Sequence, residues 1–196
     1  MILPIVAYGD PVLRKKCKEI TPEYPNLKQL IDNMWETMYQ AYGVGLAAPQ
    51  IGLPIRIFII DPTAFADDGS LEEKEKEVLS NLKKVFINPV IISEEGEEWA
   101  FNEGCLSIPD VREDVFRKSI ITIEYQDEEF NSHRETFDGI AARVIQHEYD
   151  HIEGILFTDK LSTLKKRLIK GKLANISKGK IEAEYRMRFP LVKKGR

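Results

Sequence analysis

Cysteine occurs only twice and histidine three times in 196 residues, and a long apolar run occurs nowhere. So few cysteines argue against a disulfide framework and for a reducing compartment. The opening Met1-Ile2-Leu3-Pro4-Ile5-Val6 has no basic region and no extended apolar run, so it does not read as a signal peptide. No stretch is long and apolar enough to span a membrane, and the expected location is cytoplasmic. There is no internal repeat and no regular βαβ alternation, which sets aside solenoids and parallel α/β folds. What is present, 43% hydrophobic and 31% charged residues, suits a globular chain. Its length suits one domain with a real core, with room for a tail.

Charge is unevenly spread beneath a net −4. Residues 160–196 carry 13 Lys and Arg against Glu182 and Glu184, while the preceding 159 residues hold 15 basic and 30 acidic side chains. A basic tail on an acidic body predicts a solvated segment, a tail folded back on the body, or an electrostatic contact with a polyanion. An acidic stretch near Asp67–Glu77 reads as a solvent loop, partly helical.

The pattern of elements is mixed. Asp10 caps a short turn that begins at Pro11. Asn26 opens a helix with Leu30, Ile31, Met34 and Met38 on one face, ending at Gly43. Strand-like runs follow at Ile55–Ile60, Val85–Ile92, Glu98–Asn102, Ser119–Tyr125 and His133–Phe137. The short turns between several of them favour antiparallel pairing. A second helix runs between Asp138, a suitable N-cap, and Gly154, a suitable stop.

That second helix carries His147-Glu148-Tyr149-Asp150-His151. Side chains at i and i+4 share a helix face, so His147 and His151 can grip one metal ion. Both continue the apolar stripe of Ile140 and Val144, and two buried imidazoles need partners that a metal would supply together. Glu148 stands beside that face, able to reach a water on the metal without ligating it, which is the working part of a hydrolase.

Two histidines require a third protein ligand and an open position. In the extended pattern H-E-x-x-H-x-x-G-x-x-H, Gly154 is in register, but Phe157 occupies the third-ligand place and cannot bind a metal. Glu153 is too close along the chain, and Glu182 and Glu184 lie in the basic tail. Cys105, in Glu103-Gly104-Cys105-Leu106-Ser107, is the better candidate, because a thiolate suits a borderline transition metal. Taken alone, it reads rather as a small buried apolar residue. A third segment, Gly43-Val44-Gly45-Leu46-Ala47-Ala48-Pro49-Gln50, reads alone as a helix stop and connecting loop. A phosphate cradle there is a weak reading, given the missing Lys-Ser or Lys-Thr pair, the wrong glycine spacing and the absence of a helix opening behind it.

Together the three segments resemble the peptide deformylase family, whose motifs G-x-G-L-A-A-x-Q, E-G-C-L-S and H-E-x-D-H all occur here in order. Tyr8-Gly9-Asp10-Pro11-Val12-Leu13-Arg14 is also similar to the family's opening. The resemblance covers roughly Ile5 to Leu161. An acidic insertion near residues 63–82 and the tail depart from the compact bacterial pattern. The expected division is a catalytic domain over residues 1–161 and a basic extension over 162–196.

The resemblance implies an α+β fold with antiparallel β-sheets packed around a central metal-binding helix. It also implies Cys105, His147 and His151 as metal ligands and Glu148 as general acid/base. The side-chain amide of Gln50 and the backbone N–H of Leu106 would form an oxyanion site, and Gly45 would let the backbone approach a peptide closely. Val44, Ile140 and Val144 are expected to line a pocket for a methionine side chain, or else to be core. The implied reaction removes the N-formyl group from N-formylmethionyl nascent polypeptides and releases formate. The implied ion is Fe²⁺, with Ni²⁺ or Co²⁺ as substitutes and Zn²⁺ as a poor one. Ribosomal RNA is a candidate partner for the basic tail. Asp150 is expected to pair with Arg117 or Arg112, His133 to lie on the surface, and Cys17 to be a free thiol. Two other classes share parts of this pattern: a zinc endopeptidase, which lacks its usual third ligand here, and a non-catalytic metal module, which would need neither Glu148 nor Gln50.

Overall fold

The apolar stripe read after Asn26 is buried as its spacing requires. In a computed structural model describing residues 1–191, it belongs to α1 (Leu27–Gln40), and β1 (Ile5–Val6) precedes it. Ile31, Met34 and Met38 of α1 are buried, and the N–H of Gly43 closes the helix end on the carbonyl of Met38 at 2.9 Å. Asn26 opens α1 through a left-handed backbone, φ 55°, without lending its side chain.

What looked like a connecting loop after α1 is ordered: β2 (Gly45–Ala47) runs into a 3-10 turn over Ala48–Ile51. Next come β3 (Ile57–Ile60), buried along its whole length, and α2 (Glu73–Ser80) within the acidic insertion. The runs at Val85–Ile92 and Glu98–Asn102 are not separate. They form one strand, β4 (Lys84–Cys105), whose register against the next strand shifts four times. Each bulge lets the ladder continue through polar, solvent-facing residues that break the apolar alternation. The run at Ser119–Tyr125 likewise lies within a longer strand, β5 (Ile108–Gln126), and β6 (Ser132–Asp138) follows.

Strands β2 to β6 form one antiparallel sheet in sequence order, and α3 (Gly139–Ile152) packs against it with most of its side chains buried. This is the α+β arrangement expected, with a helix at its centre. The start of α3 corrects the sequence reading. Asp138 precedes it but makes no side-chain cap. The N–H of Ile140 instead donates to the Glu75 carboxylate of α2 at 3.1 Å. Gly139 has φ 54°, and a side chain there would collide with Glu75. Thus the acidic insertion caps the central helix from a distance in sequence, filling an anion-favouring position.

The described part of the basic tail is folded. Ser162 caps α4 (Thr163–Ser177), and Ile169, Leu173 and Ile176 are buried with Leu13, Val115 and Phe157. Lys165 reaches Glu113 at 2.9 Å, so acidic body and basic tail do meet. Beyond α4, β7 (Met187–Arg188) pairs in parallel with β1. The final five residues of the extension lie outside the described residues. Among those described, no helix is long and apolar enough to cross a membrane.

Candidate metal centre

Two elements far apart in sequence bring the donors together. His147 and His151 project from one face of α3, with ring centroids 5.1 Å apart. Cys105 ends β4, just before the two-residue turn Leu106–Ser107 into β5. One potential ligand atom from each of Cys105, His147 and His151 lies within 4.8 Å of the other two, and Cys105 Sγ is 3.3 Å from His151 Nε2. A thiolate and two imidazoles at these separations fit one small cation.

Burial and neighbouring charges shift the two imidazoles in opposite directions. Burial alone would lower the His147 pKa, yet bonds to Cys105 and Glu103 and the charge of Glu148 hold it well above its usual value. His151 is driven the other way, well below its usual value, by burial and by the charges of His147 and Arg117. Burial pushes the Glu148 carboxyl up to about 7. Its Oε2 has no hydrogen-bond partner among the described residues, although the side chain is buried. A buried, unpartnered carboxylate oxygen beside the donors is costly for folding alone and fits a role toward a bound group.

Gly45 explains how Glu148 fits. A Cβ at position 45 would stand 2.7 Å from the carboxyl carbon of Glu148, so only glycine leaves room for it. Gln50, wholly buried on the 3-10 turn, accepts from the Ala47 N–H at 2.8 Å through Oε1 and points Nε2 at Cys105 Sγ, 3.5 Å away. The Ala47 bond fixes which end of the amide is the donor. Gly45, Gln50, Leu106, Cys105, His147 and Glu148 line one cavity of about 350 Å³. Val44 and Val144 line it too, whereas Ile140 does not. Ile140 sits seven residues before His147, about 10 Å along the helix, and is buried in the main core beside β5 and β6.

Glu103, to which the cysteine motif alone assigns no role, is central to the network around His147. It lies two residues before Cys105 on β4, so both point from the same face. Its Oε2 is 2.9 Å from His147 Nδ1, and Arg117 binds both carboxylate oxygens at 2.7 and 2.9 Å. Arg143 adds a bond of 3.0 Å. Burial would raise the Glu103 pKa, but Arg117 and His147 hold it far below the usual carboxylate range. Arg117 also donates to Asp150 at 2.6 Å, which settles that pairing. Arg112 is instead engaged by Asn102. The available signals were Glu103 at i−2 from the cysteine and Arg143 at i−4 from His147, each on the same face as its ligand.

The remaining singled-out residues lie outside the site. His133, half-buried, faces Asp127 at 2.7 Å, and Cys17 is a buried free thiol. Phe157, at the third-ligand position of the extended pattern, stacks beside the His147 ring with centroids 6.1 Å apart.

Comparison with known proteins places this geometry. The family profile described as Polypeptide deformylase matches residues 2–167. The peptide deformylase of Christiangramia forsetii is 74% identical over 196 residues, covering all of both chains, and that of Flavobacterium johnsoniae is 68% identical with the same coverage. Among solved structures, a peptide deformylase from Legionella pneumophila is similar with a TM-score of 0.77 and 36% identity, covering 92% of this chain and 98% of its own. The Thermus thermophilus peptide deformylase also gives a TM-score of 0.77, at 39% identity, covering 91% of this chain and 99% of its own.

Proposed function

The chain belongs to the polypeptide deformylase family, and from that membership we propose how its own residues divide the work. It is a metal-dependent hydrolase that removes the N-formyl group from N-formylmethionyl nascent polypeptides and releases formate. Cys105, His147 and His151 hold the divalent metal. When bound, the metal supplies Lewis acidity, drawing the pKa of water toward neutrality and polarising a carbonyl.

Glu148 takes the proton of the attacking water and passes it to the departing amine, a role typically worth about 10²–10⁴ in rate. As the formyl carbon becomes tetrahedral, negative charge grows on its oxygen. Gln50 Nε2 and the Leu106 N–H receive that charge, and the Ala47 bond keeps the amide from turning its oxygen inward. Glu103 holds His147 in one orientation and keeps Nε2 free to ligate. Gly45 leaves space for the Glu148 carboxylate, and Val44 and Val144 form an apolar wall for an unbranched side chain such as methionine. The observation that carries this assignment is the buried Glu148 carboxylate, one oxygen unpartnered, beside three convergent soft and imidazole donors.

Fe²⁺ is the native ion in this reading, with Ni²⁺ and Co²⁺ as active substitutes and Zn²⁺ as a poor one. The thiolate–imidazole set accepts any of these borderline ions, so the choice falls to supply and reactivity. Residues 1–161 form the catalytic domain, with the acidic insertion near 63–82, and 162–196 form the extension. The enzyme works in the cytoplasm, where its nascent substrates emerge. Exposed Arg167, Lys170 and Lys172 on α4 make the extension a candidate contact for ribosomal RNA. Replacing these three by Glu should weaken ribosome co-sedimentation, and unchanged sedimentation would remove that contact from the account.

The deciding experiment measures formate release from a short formyl-methionyl peptide, with protein purified anaerobically with iron or reconstituted with nickel. Release that requires Glu148, without cleavage of the unformylated peptide, supports the assignment. Full activity in Glu148→Ala would refute the base. Cleavage at an internal peptide bond would favour an endopeptidase, a reading weakened by Phe157 standing where its third ligand belongs.

A further inference from the structure

The turn that follows the candidate ligand Cys105 is held from outside by both ends of the chain. Leu106 and Ser107 are its only two residues, between β4 and β5. The Tyr185 hydroxyl donates to the Leu106 carbonyl at 2.7 Å. The Tyr8 N–H donates to the Ser107 carbonyl at 2.8 Å. Tyr8 lies two residues beyond β1 and Tyr185 two residues before β7. These strands pair with each other, and the Ile5 and Ala7 N–H groups bond the Arg186 and Arg188 carbonyls at 2.9 Å each. The two ends therefore form a strap whose side faces the turn.

The same strap touches the other donor-bearing loop. Gly52 caps the 3-10 turn that carries Gln50, and a Cβ there would stand 2.8 Å from the Arg188 guanidinium. Both candidate oxyanion donors thus sit on short turns braced by one two-stranded element. Residues 185–188 lie beyond the segment matched by the family profile, which ends at residue 167.

We propose that Tyr185 is a positioning residue for deformylation: its hydroxyl pins the Leu106–Ser107 turn so that the Leu106 N–H keeps its aim at the reacting carbonyl. The role rests on the assignment of Leu106 as an oxyanion donor. Leu106 and Ser107 lie outside the strand ladder that Cys105 and Ile108 close, and a donor is effective only when aimed at the position where charge develops. Tyr185 belongs neither to the residues lining the cavity nor to the donor cluster, so its loss should leave substrate affinity and metal content alone. The transition state would lose part of one preplaced donor.

The test compares Tyr185→Phe, which keeps the ring and removes only the hydroxyl, with Arg186→Ala on the exposed side of the same strap. For each, kcat and KM for formate release would be measured with metal content, melting temperature and hydrogen exchange of the Leu106 amide. The expected result for Tyr185→Phe is a fall in kcat of about three- to tenfold, the scale of one hydrogen bond. KM should stay within about twofold, and the Leu106 amide should exchange faster. Arg186→Ala should match the wild type. Undiminished kcat with unchanged exchange in Tyr185→Phe would overturn the role, as would equal losses in both variants that track melting temperature. A wild type that releases no formate would overturn the proposed function and this role together. An active wild type with an unaffected Tyr185→Phe would overturn this role alone.

Discussion

A methyl group at position 45 would have to enter space that the Glu148 carboxylate occupies. The alanine Cβ would lie 2.7 Å from Cδ and 2.8 Å from Cγ of Glu148, where ordinary contact begins at 3.4 Å. The carboxyl carbon must therefore retreat by about 0.7 Å, the difference between those two distances. It has little freedom to do so, because the side chain is buried on a helix anchored by Arg117 through Asp150. Gly45 has no left-handed backbone, so alanine brings no conformational penalty and the collision is the whole perturbation. A misplacement of about 1 Å can cost about 10² in rate. Gly45→Ala should thus lower kcat for formate release by about ten- to a hundredfold, or about 1.4–2.7 kcal/mol of transition-state stabilisation. Metal content should stay at wild-type level, since none of the three donors moves. The assay is initial-rate formate release with the metal-reconstituted protein, beside metal analysis of the same sample. If kcat stays within about twofold of wild type while metal is retained, the carboxylate is not needed where the structure puts it, and the argument from Glu148 fails.

Glu103→Gln keeps the shape but leaves Arg117 and Arg143 short of a buried counter-charge. It should cost about 3–5 kcal/mol of stability and about 10–100-fold in metal affinity, read by denaturant unfolding and chelator competition; unchanged values in both would dismiss the network. Val144→Trp should fill the apolar wall of the cavity and lower kcat/KM for a formyl-methionyl peptide by about tenfold or more with metal intact. Normal turnover would show that methionine binds elsewhere. For Glu135 and Asp159, burial alone would raise the pKa, but Lys84 with Tyr125, and Arg14, respectively, lower it below the usual 4.5 and 3.8. Folded carboxyls that bind protons less readily than unfolded ones stabilise the protein above those usual values. Stability should therefore fall as pH drops below about 4.5, more steeply at low salt. A denaturant midpoint flat from pH 6 to about 3 would contradict this.

The two histidines and the carboxylate beside the first of them are legible because residue type at fixed local spacing declares their chemistry. Cys105 and Gln50, which alone read as a buried apolar residue and part of a connecting loop, gain their roles only from the family resemblance. Two imidazoles one turn apart with a carboxylate between them need no knowledge of the fold. The same local logic failed where a distant group took over a local task. Asp138 is a sound N-cap in sequence, yet the Ile140 N–H bonds Glu75 instead, 65 residues before Ile140. Strand β4 was read as two pieces because bulges and polar outward-facing residues interrupt its alternation, while pairing with β5 carries it through. Ile140 shares the ligands' helical phase, but phase does not report distance along the axis. The folding of the basic tail was left open because its three buried apolar residues in α4 are few, and only the surface they meet decides the matter.

The bond from Glu75 to the start of α3 also bears on how this protein can be altered in the laboratory. A surface loop rich in acidic residues is the usual place to shorten a chain, insert a tag or attach a probe. Here the loop has two parts of unlike tolerance. Around Asp67–Ser70 the chain is exposed, and a Cβ at Gly69 would meet nothing within 4 Å, so an inserted peptide there should leave the enzyme intact. A few residues later the chain becomes α2, with Leu79 buried and Glu75 holding the first turn of the helix that bears both histidines. Trimming the loop to a shorter form would thus take away an anchor of the catalytic helix while appearing to remove only solvent-facing charge.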